Sequence, residues 1–361
     1  MTIKHLILCG GGPSIFRSIG ALYYLEDSKF WQIDNIETIF ATSAGAIFGA
    51  ILCLGFDHET IINYLVNRPW HEAFPIKVSQ IMDIYSKKGL YDHKVAEIIF
   101  KPLLNAKDLP LTITMKELYE YSKIELHMYS LEINDFQIED ISYKTHPDLP
   151  LLDALIMTSA IPTIFVPFCK GNKCYVDGGI VANYPLNFCL DQGHKKDEIL
   201  GIRFIYKNNI LDNDTEDNTP LNKKKEETMD INMSTSNHIS NGKHDLINDS
   251  LNTSKDDSKP DFIDKSIINQ SSNVLEFVMG IFGKLIRQIG TEFKQEIIPY
   301  ELRCDTSHMS FYTFKTALFS STHRKQMIEN GAKFGKEFVD VINLAAITTT
   351  NATTANATTI L

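Results

Sequence analysis

The chain has 361 residues, 43% of them hydrophobic and 22% charged, with a formal net charge of −10. That much apolar residue supports a substantial globular core. The acidic balance argues against a nucleic-acid partner, which calls for a basic surface, and against charge-driven attachment to anionic membranes.

The first predicted element is a short buried strand over His5–Cys9. Gly10, Gly11 and Gly12 follow. Pro13, a residue favoured at the first helical position, predicts a helix start there, and Ile15, Ile19, Leu22 and Leu25 carry a helical spacing through Glu26. Thr38, Ile39 and Phe40 are β-branched or aromatic, as strand interiors prefer, and Ala44–Leu54 reads as an apolar helix. This strand–loop–helix–strand unit predicts parallel pairing with a right-handed crossover.

Further helices are predicted at His58–Val66, Lys94–Leu104, Thr114–Ser122 and Leu151–Ser159, and strands at Glu125–Ile133, Lys173–Asp177 and Ile199–Tyr206. Arg68–Pro75, with Trp70 and Phe74, reads as a loop. The alternation predicts an α/β fold: a mostly parallel central sheet flanked by helices on both faces.

From residue 207 to 272 the composition turns to Asn, Asp, Ser, Thr and Lys without apolar period, which predicts a disordered surface insertion. Such an insertion costs little, because closure entropy grows only logarithmically with length. Lys223–Lys225, balanced by Glu226 and Glu227, reads as a solvated charge run. Val274–Ile289 has a broad apolar helical face, suited to a core helix or, as the sharper alternative, to a helix lying on a membrane. Ser321–Asn343 is the last predicted helix, with Thr322 as its N-cap, and Thr348–Leu361 reads as a loose tail of Thr, Asn and Ala. The expected organisation is a catalytic core over 1–206, the disordered insertion over 207–272, a helical part over 273–347 completing the same domain, and a disordered tail over 348–361.

The six cysteines, Cys9, Cys53, Cys169, Cys174, Cys189 and Cys304, include no C-x-x-C pair, and several lie in apolar runs. They are expected to be reduced core residues of an intracellular, cytoplasmic protein. The apolar run Leu6–Cys9 is too short for a signal peptide. The stretch Ala44–Phe56 is too short to span a bilayer. Any lipid contact is therefore expected to be peripheral.

Three local features carry chemistry. Ser43 follows the second strand with Ala41, Ala44 and Gly45 around it. Small residues are what a nucleophile elbow requires, where strand and helix backbones converge and hold a serine hydroxyl above the sheet. A buried serine in a tight βα turn produces the same pattern. The new helix would direct its positive end at the serine and favour developing negative charge. The second feature is the glycine run, whose amides, those of Gly11 and Gly12 foremost since Pro13 has none, could hold an oxyanion. The third is Asp177, which ends a strand and precedes Gly178 and Gly179. Carboxyl ends of parallel strands gather on one sheet edge, which would bring Ser43 and Asp177 together. A desolvated carboxylate gains basicity, so a Ser–Asp dyad is feasible without histidine, metal or cofactor.

Taken together the chain resembles the patatin-like phospholipases. That family carries a GGGxRG loop, a GxSxG elbow and a DG[GA] aspartate, which Gly10–Gly12, Ser43 and Asp177 match in order. Gly20-Ala-Leu22, Gly89-Leu-Tyr-Asp92, Ser159-Ala-Ile-Pro162 with Phe165 and Pro167, and Asp177 to Pro185 resemble its flanking segments. The resemblance runs from Lys4 to Tyr206. It implies a three-layer sandwich and hydrolysis of a phospholipid acyl ester. It further implies Ser43 as nucleophile and Asp177 as base, with no cofactor, and a membrane or micellar phospholipid as substrate. The sequence itself names no protein partner. Two departures stand out: Ala41 replaces the first elbow glycine, and Ser14 and Ile15 replace the family's arginine and glycine. Arg17, one turn on, is either a substitute or a surface charge.

Three other readings compete with this one. A Ser–Asp–His triad would recruit His194, His308 or His323, none of which has a distinctive neighbourhood. A catalytically weak lipid-binding protein on the same scaffold is favoured by the missing arginine and by Ala41. Nucleotide binding by the glycine run is disfavoured, since Ile15 stands where the third fingerprint glycine belongs.

Overall fold

The computed structural model describes residues 2–75, 84, 86–206, 277–278, 280–282, 284–285, 296–306 and 311–357. They belong to one unit formed by Met1–Lys207 and Lys265–Leu361.

The strand His5–Leu8 (β1) lies between Thr38–Thr42 (β2) and Ile199–Tyr206 (β9), parallel to both. Glu301–Thr306 (β10) extends the sheet beside β9, and Glu125–Glu132 (β4) extends it beside β2, again in parallel. Three antiparallel strands complete it: Gln137–Ile141 (β5), Phe168–Lys170 (β7) and Lys173–Asp177 (β8). A separate two-stranded parallel pair joins Gly89–Tyr91 (β3) to Thr163–Phe165 (β6).

Side chains alternate across the sheet, so both faces need cover. Leu6, Leu8, Ile39, Ala41, Leu126 and Met128 enter the larger core. That core is built by the helices Ile15–Asp27 (α1), Ala44–Cys53 (α2), His58–Asn67 (α3), Lys94–Asn105 (α5), Met115–Ser122 (α6) and Leu151–Ser159 (α7). Ile7, Phe40 and Tyr129 enter a smaller core with Leu186 and Cys189 of a helix over Leu186–Asp191 (α9). The fold is thus the expected α/β sandwich, with helices on both faces of a mostly parallel sheet.

The β4 strand decides where the site lies. Residues Glu125–Tyr129 pair with β2 in parallel, and Ser130–Glu132 pair with β8 in the opposite direction. The β5 strand pairs with Met128–Glu132, overlapping both sets. The strands β2 and β8 therefore share one edge of β4 and meet end to end between Tyr129 and Ser130. The expectation that Ser43 and Asp177 sit on carboxyl ends of parallel strands is corrected here. The β8 strand is antiparallel because the tight turn through Gly171 (φ 60°) reverses the chain after β7.

Other differences have local causes. Arg68–Pro75 is not all loop: Trp70–Ala73 forms one helical turn (α4), held by the Trp70 indole donating to the Leu65 carbonyl at 2.8 Å. The final helix, Ser321–Ala357 (α11), is capped by Ser320, whose hydroxyl accepts from the His323 amide at 3.1 Å, rather than by Thr322. It runs through the first ten residues of the expected tail. Residues 348–357 hold neither glycine nor proline, so nothing stops a helix already nucleated by its packed half. That packing depends on glycines. A Cβ on Gly331 would meet the Arg17 carbonyl, and one on Gly20 the Ile328 carbonyl, so α1 and α11 cross at backbone contact.

Cys169 and Cys174 are not reduced core residues. They are directly opposed across β7 and β8 and form a disulfide, with Cα atoms 4.1 Å apart. The other four cysteines are free and buried. The insertion expected over 207–272 and His308 lie outside the described residues. Of the apolar helix expected over 274–289, Phe282 is buried in the larger core, while Phe277, Ile281 and Leu285 are exposed. Among the described residues, no helix is long and apolar enough to cross a membrane.

Candidate active site

Ser43 joins β2 to α2 with φ 56° and ψ −128°, left-handed backbone that a non-glycine residue adopts only at a cost of about 1–3 kcal/mol. Its small neighbours explain how the turn closes. A Cβ on Gly45 would run into the carbonyls of Leu8, the last residue of β1, and of Cys9 after it. Ala41, in contrast, lies within β2, paired with Leu8 and Met128 in ordinary strand conformation, so a methyl at that position is unstrained.

The Ser43 hydroxyl donates to Asp177 Oδ2 at 2.5 Å. The second carboxyl oxygen, Oδ1, accepts the Gly179 amide at 2.7 Å, an interaction made by the first turn of Gly179–Ala182 (α8). Both side chains are buried, Ser43 at 5% exposure and Asp177 at 2%. Burial pushes the Asp177 carboxyl up to about 6, against the opposing pull of the Ser43 hydroxyl and the Gly179 amide. The carboxylate is therefore a far stronger base than one in water. Gly178 is needed because a Cβ there would meet the Tyr129 carbonyl.

The glycine run packs directly on the serine: a Cβ on Gly10 would lie 3.0 Å from the Ser43 Cβ. The Gly10 amide donates to the Asn183 carbonyl at 3.1 Å, and the Asn183 side-chain amide returns a bond to the Gly10 carbonyl at 3.1 Å. Of the three glycines, only Gly11 and Gly12 keep amides with no acceptor among the described residues. Gly12 has φ 50° and opens a short 3-10 turn over Gly12–Ser14 that leads into α1. Ser14 is buried in that turn, and Arg17 faces Cys304 and Asp305 of β10.

No histidine nitrogen among the described residues bonds to Ser43 or Asp177. His194 packs its ring on His5, with centroids 3.8 Å apart, and on Phe40 in the smaller core. His323 has Arg17 and Arg324 as its charged neighbours. No cluster of three or more His, Cys, Asp or Glu among the described residues is arranged to hold a metal.

A cavity of about 180 Å³ opens beside Ser43. Ile47 and Ile51 of α2, Phe100 of α5, Leu155 of α7 and Phe314 of a helix over Phe311–Phe319 (α10) line it. Among the described residues, Ser43 and Ser159 supply its only hydroxyls, and Ser159 spends its own on the Leu155 carbonyl. A cavity so lined excludes water and accepts hydrocarbon.

Sequence reasoning did not single out Thr158, Ser130, Thr42 or Asn183 as individuals, although all four hold the site together. The Thr42 hydroxyl donates to the Ala182 carbonyl at 2.7 Å. The Ser130 hydroxyl reaches the carbonyls of Met157 and Val176. Asn183 had a signal, its place six residues after Asp177 and two before Pro185. The others had none, since hydroxyls on strands and helix ends are ordinary.

A family model for patatin-like phospholipases matches residues 6–190, which hold the glycine run, Ser43 and Asp177. The chain belongs to the patatin-like phospholipase family. This patatin-like chain is 28% identical over 201 residues to a probable lipid hydrolase, 463L, of Invertebrate iridescent virus 6, a match covering 54% of this chain and 66% of that protein. It is 26% identical over 205 residues to a cGAMP-activated phospholipase of Escherichia coli, covering 51% of this chain and 53% of that one. The match thus spans just under two thirds of the viral protein and about half of the bacterial one. Among solved structures, VipD from Legionella pneumophila is similar at 15% identity and a TM-score of 0.49, over 94% of this chain and 67% of VipD.

Proposed function

We propose that the chain hydrolyses fatty acyl esters of phospholipids through a Ser43–Asp177 dyad. Ser43 Oγ attacks the ester carbonyl as its proton passes to Asp177. The Gly11 and Gly12 amides receive the oxyanion, helped by the N-terminus of α2. Collapse breaks the carbonyl–oxygen bond, and the proton on Asp177 leaves with the alcohol. Water then attacks the acyl-serine, giving its proton to Asp177, and the second collapse returns that proton to Ser43 as the fatty acid departs.

The observation that carries this reading is the 2.5 Å hydrogen bond to a buried carboxylate from Ser43, which lines an apolar cavity. The cavity suits an acyl chain, which points to a lipid ester. The patatin-like family and the names of the two relatives support the same chemistry. Contact with the membrane or micelle that presents the lipid is peripheral in this reading.

The test is an assay of the full chain on phospholipid, galactolipid and neutral-lipid vesicles, with Ser43→Ala as control. Fatty acid release from phospholipid that depends on Ser43 is the expected result. Release only from the other lipids would reassign the substrate, and release unaffected by Ser43→Ala would end the proposal.

A further inference from the structure

We propose that Thr158, in the last turn of α7, is a positioning residue for the nucleophile: its hydroxyl holds Ser43 in its strained conformation. The inference rests on the assignment of Ser43 as nucleophile and adds a residue to that machinery.

Thr158 is fully buried. Its hydroxyl accepts the Ser43 amide at 3.1 Å and donates to the Tyr129 carbonyl at 2.5 Å. Tyr129 is the last residue of β4 paired with β2, opposite Thr42. A further rung of that parallel ladder would join the Ser43 amide to the Tyr129 carbonyl directly. The elbow prevents it, because Ser43 turns out of the strand at φ 56°. The threonine hydroxyl fills the gap, converting one direct rung into a relay of two bonds. Neither the Ser43 amide nor the Tyr129 carbonyl is left unpaired in the interior, and the serine keeps the displacement that the elbow needs.

The same turn of α7 also locates the base. The Ala160 carbonyl accepts the Asp177 amide at 3.0 Å, and the Thr158 carbonyl accepts the Gly178 amide at 3.4 Å. One helix end thus sets the nucleophile through a side chain and the base through two carbonyls. Only the first of these links can be removed by substitution without touching the second. Removing it frees Ser43 to relax toward strand geometry, away from Asp177 and the glycine amides. Misplacement of a reacting atom by about 1 Å costs roughly a hundredfold in rate.

The experiment compares Thr158→Val, Thr158→Ala and Thr158→Ser in the full chain, with Ser43→Ala as the labelling control. It uses the rate of Ser43 labelling by a fluorophosphonate and the kcat and KM for a phospholipid in mixed micelles. Each rate is referred to folded protein measured by thermal melting. Valine and alanine are expected to lower the labelling rate and kcat by about 10–100-fold with KM unchanged, whereas serine, which keeps the hydroxyl, stays within about threefold of the native chain. Alanine adds no bulk and decides the matter if the valine variant does not fold. Native-like labelling in the alanine or valine variant overturns the inference. So does an equal loss in the serine variant, which would assign the effect to the methyl group. Failure of Ser43→Ala to abolish labelling would instead overturn the nucleophile assignment itself, a different outcome from the same experiment.

Discussion

Ser43 and Asp177 meet because the strands that carry them end head to head along one edge of β4. The β2 strand runs up to Tyr129, and β8 runs down to Ser130. The hydroxyl and the carboxylate, both buried, face each other at 2.5 Å across that junction. Replacing Asp177 with Asn removes the base while keeping the shape, and is expected to lower phospholipid hydrolysis by about 10²–10⁴-fold.

The same substitution is expected to stabilise the fold. The folded carboxyl titrates at about 6, raised from 3.8 by burial. A raised carboxyl favours the folded state in its protonated form. That contribution is complete below the unfolded value near 3.8 and is lost as pH rises through about 6. At pH 8 the ionised group therefore costs stability, on the order of 3 kcal/mol, and a neutral amide avoids the cost. Urea denaturation of Asp177→Asn against the native chain at pH 8 checks this. A less stable variant would mean that the carboxylate is better solvated than the fold implies.

Catalysis should follow the same titration. Protonated Asp177 cannot accept the serine proton, so kcat/KM is expected to fall about tenfold per pH unit below about 6 and to level off above 7. A profile measured with a soluble short-chain ester checks it free of vesicle effects. Full activity down to pH 4 would show that another group takes the proton.

Gly178 tests the junction sterically. Its φ of −63° suits any residue, so only crowding against the Tyr129 carbonyl opposes a side chain. Gly178→Ala should destabilise by about 1–3 kcal/mol and part β8 from β4 beside the dyad. Loss of activity should accompany the lower melting temperature. An alanine variant with native melting and turnover would mean that the turn has room to spare.

Arg324 offers a test away from the chemistry. Its guanidinium is buried at 3% exposure and donates to the carbonyls of Val66, Arg68, Ala317 and Leu318. It ties the end of α3 to α10, which supplies Phe314, Ala317 and Leu318 to the cavity wall. Arg324→Met orphans several carbonyls at about 1–3 kcal/mol each, and even Lys cannot restore the planar fork. Both variants are expected to melt well below the native chain, methionine lowest. Native-like melting of either would show that the carbonyls find other donors.

The Cys169–Cys174 bridge closes a short hairpin, and the entropy of so small a loop is worth only about 2 kcal/mol. Dithiothreitol is expected to lower the melting temperature by a few degrees in the native chain and not at all in Cys169→Ser. An equal response in both would place the sensitive bond elsewhere.

Much of this protein was readable from local chemistry. Strand and helix positions around Ser43 followed from β-branched residues, small turn residues and apolar period. The glycine run and Asp177-Gly-Gly were recognisable because turns and close approaches restrict residue choice within a few positions. Gly171-Asn172 carries a hairpin signal as well, but the short β7 before it was not foreseen, so β8 was expected as one more parallel strand. The cysteine pair went unread for the same reason, since only the hairpin register sets Cys169 opposite Cys174.

By itself, the sequence determined the alternation of elements, the elbow and the order of the three motifs, because these depend on propensity and sterics over a few residues. Only the tertiary structure decided that β2 and β8 share an edge of β4, that the Gly10 amide belongs to Asn183, and that Thr158 stands between Ser43 and Tyr129. Those facts are set by hydrogen bonds between segments 29 to 173 residues apart, where short-range preference has no reach and the packing of the whole sheet chooses the partner.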